Sequence, residues 1–520
     1  MKKQVDSLKY TDMRDLALHA KSCFPDTAFF LCTDERMPHV TGTELYSYCS
    51  RAAGVLDRYP ARHIAILGPG SAAWITSYFS VISAGRVIVP LHDGMQKHEL
   101  EECIRQAGCG VLLYDNRRAE TAEAIRQAIA DLQIIELHDF LERIREAKDF
   151  SLSILEPDAA AAMYFTSGTT GKPRCVILTH RNMGSQISAV TEVLPLSEKD
   201  VGLSLLPLSH TFEMMTCIAN ALDCGGTLYI NESIRTVKRN LQDKHPTILV
   251  AVPLVLQTLR KEIINAARKQ GQLEKLQRAM AINEKIQRFD LDLSSRLFKE
   301  VRKPLGGKLR TIICGGAALD NETVNFFKAL GIEVLHGYGI TECSPVVSVN
   351  RPGHVVSGSV GKCLPCCEVS MIDREICVRG DSVSPGYYND PEANAENFRD
   401  GWFHTGDLGR FDRKGNLFFE GRIKNLIILP NGENVSPEEL EEKIYRADGI
   451  LDALVFERDG KITAELYVDR EIIPDVSAAW QIVSRINHSS ASFKQIADIV
   501  LRDTGFDKTV TNKIKRYSSG

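Results

Sequence analysis

The sequence predicts an α/β protein: a large N-terminal part built on mostly parallel sheets, followed by a small α+β block. Three observations carry this. Short apolar, β-branched runs recur between turn residues, with patterns of helical length between them. From about Gly361 to Phe419 the pattern changes to antiparallel strands separated by Gly, Asp and Asn turns. After Gly421-Arg422-Ile423-Lys424, strand and helix signals mix in a final block, 424–520.

In chain order, the strands expected of the first part are Ile64–Leu67, Val87–Val89, Gly110–Tyr114, Ile248–Val252, Leu309–Cys314 and Glu333–Leu335. Lys97–Ala107 reads as an amphipathic helix, with Leu100, Cys103 and Ile104 at helical spacing. Residues 257–303 are helical in composition and carry 12 Lys/Arg against 6 Asp/Glu, a local +6. A solvated helical hairpin carries such charge, and so does a surface that approaches anionic headgroups or a phosphorylated partner. Glu375–Val378 and Asn416–Glu420 are the antiparallel candidates. Leu451–Phe456 and Ile462–Val468 are strands of the last block, with the helical Ala478–Ile486 after them.

Composition narrows the function classes. The chain has 520 residues, is 44% hydrophobic and 25% charged, and so is neither disordered nor fibrous. Its net charge, 63 − 67 = −4, gives no basic excess for nucleic acid. No apolar stretch of ~7–15 residues follows the opening lysines, so no signal peptide is expected. No run of ~18 apolar residues predicts a membrane-spanning helix. The fourteen cysteines are scattered, and Cys363, Cys366 and Cys367 lack a matching pair at zinc-site spacing. Reduced thiols in a cytoplasmic protein are the expectation.

Five segments carry chemistry. In Tyr164–Arg174 an apolar entry leads into Thr166, Ser167, Gly168, Thr169, Thr170 and Gly171, then Lys172-Pro173-Arg174. The glycines admit a close anion, the hydroxyls donate, and backbone N–H groups can nest around phosphate oxygens. It is not a Walker A loop, because two residues, not four, separate Gly168 from Gly171-Lys172. In His336-Gly337-Tyr338-Gly339-Ile340-Thr341-Glu342, the flanking glycines are expected to leave Tyr338 an open face for a purine. Glu342 offers a carboxylate suited to Mg²⁺ riding on phosphates, and Thr341 a hydroxyl. Upstream, Gly315-Gly316-Ala317 would let a flat ring lie against the backbone. Asp407, in a Gly-framed turn, can accept from a ribose diol. Gly421–Lys424 and the basic Thr509–Arg516 are the fourth and fifth.

In this order, and over nearly the whole chain, the five segments resemble those of the adenylate-forming superfamily: acyl-CoA synthetases, luciferases and peptide-synthetase adenylation domains. The resemblance implies two mostly parallel sheets layered with helices plus a small β-barrel-like part in an N-terminal body, 1–423. It also implies a small mobile α+β lid, 424–520, hinged at Lys424. Tyr164–Lys172 resembles the phosphate loop, Trp402–Asp407 the ribose-binding turn, and Lys513 the catalytic lysine. By the same resemblance Asp407 and Arg422 hold the ribose, Thr341 contacts the α-phosphate, and coenzyme A passes Gly432. Pro207-Leu208-Ser209-His210-Thr211-Phe212-Glu213 and Asn431–Glu439 are similar to segments of long-chain fatty acyl-CoA synthetases. His210 is then a gate or acyl-side contact.

Phe212-Glu213 stands where amino-acid-activating domains show Phe-Asp, which disfavours amino acids. The short interval from Glu342 to Gly361 leaves little room for a fatty acyl-AMP ligase insertion. The chain departs from the family pattern at Arg174-Cys175, where Lys-Gly is usual, at Asn512, and at Arg374-Glu375. The implied activity is ATP-dependent activation of a carboxylate, a medium- or long-chain fatty acid, to acyl-AMP and then to a coenzyme A thioester, with Mg²⁺. An acyl carrier protein as acceptor, and a non-catalytic acyl-adenylate binder, are the alternatives. No nucleic acid partner is expected, and membrane contact at most peripheral.

Overall fold

The computed structural model describes residues 9–148, 155–166, 173–194, 196–231, 233–287, 293–429, 433–508, 514 and 516. These divide into two compact units. The first comprises residues 1–317, 321–368 and 378–403, the second 318–320, 369–377 and 404–520. The boundary expected at 423/424 lies inside the second unit's C-terminal stretch.

The first unit holds two large sheets. One contains β1 (His63–Leu67), β2 (Val87–Leu91), β3 (Val111–Tyr114), β4 (Gln133–Glu136), β5 (Ala160–Thr166) and β6 (Arg174–Thr179), in spatial order β4-β3-β1-β2-β5-β6. Every pairing is parallel except β5–β6. β1 and β2 are buried at every position, as strands covered on both faces must be. The expected helix Lys97–Ala107 forms with those bounds, burying Leu100, Cys103, Ile104 and Ala107 and ending on Gly108 at φ +63.

The other sheet contains β7 (Val201–Ser204), β8 (Thr227–Ile230), β9 (Ile248–Ala251), β10 (Thr311–Cys314), β11 (Glu333–Gly339), β12 (Val346–Val349) and β13 (Lys362–Cys363), in order β8-β7-β9-β10-β11-β12-β13. It is parallel from β8 to β11, and β12 and β13 add antiparallel. Residues after the C-terminal ends of β7, β10 and β11 therefore gather along one edge, where open α/β sheets bind ligands.

The basic segment is helical. Helices Pro253–Lys269 and Leu273–Gln287 are separated by Gly271 at φ +67. The second buries Leu276 and Asn283 and exposes Lys275, Arg278, Ile282 and Lys285. No helix among the described residues is long and apolar enough to cross a membrane. No disulfide links any of the fourteen cysteines.

In the second unit, parts of β14 (Cys367–Ile372), β15 (Glu375–Gly380) and β16 (Trp402–Phe411) are joined by β17 (Leu417–Arg422), which pairs antiparallel with β16. A separate core, including Val435, Leu440, Val455, Leu466 and Val483, forms around β18 (Ile450–Arg458), β19 (Lys461–Val468), β20 (Asp498–Arg502) and the helices Pro437–Tyr445 and Val476–His488.

Candidate active site

The first unit's site is built from the C-terminal edge of the seven-stranded sheet. Leaving β7, the chain runs to His210, the N-cap of a short helix, whose Nδ1 accepts from the Phe212 N–H at 3.2 Å. With Nδ1 an acceptor, a neutral His210 carries its proton on Nε2. The helix continues into a π-helical segment, Met214–Ala219, an irregularity that often marks functional sites.

Leaving β10, the chain makes Gly315-Gly316-Ala317. A Cβ on Gly315 would stand 3.1 Å from the Phe212 ring. Close packing of the Phe212 ring thus accounts for the small residue at Gly315. Gly316, at φ +87, and Ala317 are exposed. At the end of β11, His336 Nε2 donates to the Ala317 carbonyl at 3.1 Å, joining the two strand ends. Burial holds the His336 imidazole below the usual histidine range.

The glycines beside Tyr338 answer to close backbone neighbours. A Cβ on Gly337 would lie 2.9 Å from the Ser348 carbonyl oxygen, and one on Gly339 2.3 Å from that of Pro345. The backbone of β12 and its approach leave no room for a side chain at either position. Tyr338 itself is 9% exposed. Thr341-Glu342-Cys343 then forms a single 3-10 turn. Glu342 is 5% exposed, and its Oε1 accepts from the Tyr387 hydroxyl at 2.8 Å. A buried carboxylate anchored by a phenol offers the hard oxygen chemistry that Mg²⁺ takes, so Glu342 fits that ion.

β5 and β6 pair Thr166 opposite Arg174, closing the ends of the expected phosphate loop into a hairpin. Tyr164, on β5, is 1% exposed and hydrogen bonds Tyr78 at 2.8 Å, so it anchors that strand in the core. Arg174 lies over the Tyr387 ring, 5.2 Å from its centroid, and 3.5 Å from Glu396 Oε2. Ser167, Gly168, Thr169, Thr170, Gly171, Lys172, Gly432 and Lys513 lie outside the described residues.

In the second unit, Asp407 and Arg422 sit directly opposite in the β16–β17 ladder, with Arg422 Nε 3.1 Å from Asp407 Oδ1. Asp407 is 2% exposed. The turn before it uses Gly406 at φ +70, whose N–H donates to Glu375 Oε1 at 2.8 Å. Lys424 lies exposed on a 3-10 turn, Ile423–Asn425. Beside the position of Lys513, Ile514 bridges to Lys508, and Arg516 pairs with Glu441 at 2.5 Å.

Among the described residues, Glu375, Cys377 and His404 could together hold a metal. Hydrogen bonding already accounts for them, since His404 Nδ1 donates to Glu375 Oε2 at 2.8 Å. The Cys363–Cys367 trio joins no such group among these residues.

No sequence signal marks Tyr387 as a neighbour of the site. Tyr387 stands 45 residues beyond Glu342, and no local pattern links them.

Comparison with known proteins gives the family. The family described as AMP-binding enzyme matches residues 19–388. Long-chain-fatty-acid–CoA ligase 1 of Cavia porcellus is 28% identical over 482 residues, which cover 81% of this chain and 67% of that protein. Long-chain-fatty-acid–CoA ligase 5 of Rattus norvegicus is 28% identical, covering 75% of this chain and 64% of its own. The chain thus spans about two thirds of the length of these relatives. Among solved structures, the anthranilate CoA ligase in complex with anthranoyl-AMP superposes with a TM-score of 0.82 at 20% identity, covering 99% of this chain and 98% of its own. With the profile match extending over more than half of its length, the chain belongs to the family of AMP-binding enzymes.

Proposed function

We propose that this enzyme activates a medium- or long-chain fatty acid with ATP to acyl-AMP and then transfers the acyl group to coenzyme A. One observation carries the reading. His210, Gly315–Ala317, His336–Gly339 and Glu342 lie along one edge of a parallel sheet, and Tyr387 ties Glu342 to Arg174 at the exit of the phosphate hairpin. The CoA ligases named above support the acyl and thiol halves.

A carboxylate must attack the α-phosphorus of ATP, and both are anions. Fixed positive charge at the phosphates lowers that electrostatic barrier. Thr166–Lys172, with Arg174 at its exit, cradles the β- and γ-phosphates, and Thr341 contacts the α-phosphate. Tyr338 and the Gly315–Ala317 backbone border the adenine. Asp407, oriented by Arg422, accepts from the ribose. Glu342 would hold Mg²⁺, which when bound neutralises phosphate charge. His210 faces the acyl side, Lys513 brings charge to the α-phosphate and acyl oxygen, and Gly432 borders the thiol's path. The division into a body, 1–423, and a lid, 424–520, hinged at Lys424 is part of the same proposal.

The test is ATP–pyrophosphate exchange dependent on added fatty acids of graded length. Exchange is expected with medium or long chains, and Lys513→Ala should lower it by at least about 100-fold, as loss of an oxyanion donor does. No exchange with any acid ends the reading. Coenzyme A and a purified acyl carrier protein, supplied separately, then identify the acceptor.

A peripheral membrane approach belongs to the same reading. The stripe Lys275, Arg278, Ile282 and Lys285 and the exposed Leu254, Leu293 and Leu297 suit an anionic surface that also presents acyl chains. Salt-sensitive binding to anionic vesicles is expected, and indifference to salt removes it. Fourteen cysteines without a disulfide support a reducing, cytoplasmic setting.

A further inference from the structure

The segment from Ser384 to Tyr388 is stitched to two parts of the site at once. Toward β6 it forms a short antiparallel bridge, Val176 opposite Tyr387. The Ile177 N–H donates to the Gly386 carbonyl at 3.1 Å, and the Tyr388 N–H to that of Cys175 at 2.8 Å. Ser384 Oγ donates to the Ile177 carbonyl at 2.6 Å. Toward the turn after β11, the Ser384 N–H donates to the Glu342 carbonyl at 2.7 Å, and the Tyr387 hydroxyl to the Glu342 carboxylate at 2.8 Å.

Tyr387 is itself held firmly. It is 4% exposed, its N–H donates to Asn394 Oδ1 at 2.7 Å, and its carbonyl accepts from Asn394 Nδ2 at 2.9 Å. Phe398 meets its ring edge-on at 5.7 Å. Gly386 makes this packing possible, because at φ +143 a Cβ would lie 2.6 Å from Asn394 Oδ1. The Arg174 guanidinium lies over the ring, 5.2 Å from its centroid.

We propose that Tyr387 is a positioning residue: its hydroxyl fixes the Glu342 carboxylate and its ring seats Arg174, so that the phosphate hairpin's exit and the metal-facing carboxylate hold one fixed geometry. This rests on the reading of Glu342 as the Mg²⁺ ligand. Two groups that must meet the same triphosphate come from different sheets. Without a shared strut, each binding event would also have to order one against the other. Partners that orient a metal-binding carboxylate commonly contribute about 10- to 100-fold in metal affinity.

The test compares Tyr387→Phe, Glu342→Gln and Arg174→Gln in the full-length chain. Mn²⁺ binding is followed by electron paramagnetic resonance in the presence of saturating α,β-methylene-ATP. Tyr387→Phe keeps the ring over which Arg174 lies and deletes only the hydroxyl. Its Mn²⁺ midpoint should rise about tenfold, with an unchanged fatty acid KM and a melting midpoint close to the parent's. Arg174→Gln should weaken binding of the ATP analogue several-fold and leave the Mn²⁺ midpoint in place. A parental Mn²⁺ midpoint in Tyr387→Phe, while Glu342→Gln shifts it, overturns the strut. If Glu342→Gln also leaves the midpoint unmoved, the Mg²⁺ assignment itself falls, and the strut with it.

Discussion

Glu213 has no exposed surface and stands where the short helix after His210 passes into the π-helical segment. Burial raises its carboxyl to about 7, against partial relief from Ser204, Cys217 and the backbone of Leu205 and Leu206. His180 shows the opposite case: burial, aided by Arg14, lowers its imidazole to about 4. Between pH 4.5 and 7 the unfolded chain has released the Glu213 proton while the folded chain keeps it. The unfolded state then binds fewer protons, and stability falls as pH rises, by about 3 kcal/mol in all. Between pH 4 and 6.5 unfolded His180 takes up a proton that the folded residue refuses, so stability rises with pH by a similar amount. The two slopes largely cancel between pH 4.5 and 6.5. Glu213→Gln should uncover the His180 slope, with a melting midpoint that climbs from pH 4.5 to 6.5. It should also make the variant more stable than the parent at pH 8, by up to about 3 kcal/mol. Parallel pH profiles for parent and variant would show that Glu213 does not hold its proton in the folded state.

At the scale of elements, local pattern was a good guide wherever an element answers to its own sequence. The helix Lys97–Ala107 appears with its expected ends, because apolar spacing and the following Gly108 set both. β1, β3, β9 and β10 fall within one or two residues of the runs that announced them. Gly337 and Gly339 are different. The sequence predicts that they leave Tyr338 an open face; that β12 and the preceding Pro345 leave no room for a Cβ is invisible in the local sequence. Gly339→Ala should therefore cost well over 2 kcal/mol in urea unfolding, since the new Cβ meets backbone that cannot yield. Gly353→Ala, at φ +73 with nothing within 4 Å, should cost only the left-handed strain of about 1 kcal/mol. Equal losses at the two sites would remove this explanation of the β11 glycines.

Over the whole molecule, each unit has its own apolar core. The first gathers Trp74, Phe79, Phe140 and Ile218, and the second Val435, Leu466 and Val483. Cores that share no residues can open separately. Hydrogen exchange should show the amides of β18 and β19 exchanging with a common free energy distinct from that of β1 and β2. Val483→Ala should lower only the former. A drop of the same size in β1 and β2 would mean that the chain unfolds as one cooperative body.

The α/β class, the strands and helices with strong periodicity, and the motifs from Thr166 to Lys513 that resemble those of adenylate-forming enzymes can be read without coordinates. These are legible because each is written in neighbouring residues: apolar spacing, turn glycines, hydroxyls beside a lysine. The tertiary structure alone decided which motif residues meet, and through what. Phe212 fills the space beside Gly315, β12 demands the glycines around Tyr338, and Tyr387 joins Glu342 to Arg174. Such contacts form between segments far apart in the chain. Only the pairing of strands and the burial of side chains brings them within hydrogen-bonding distance.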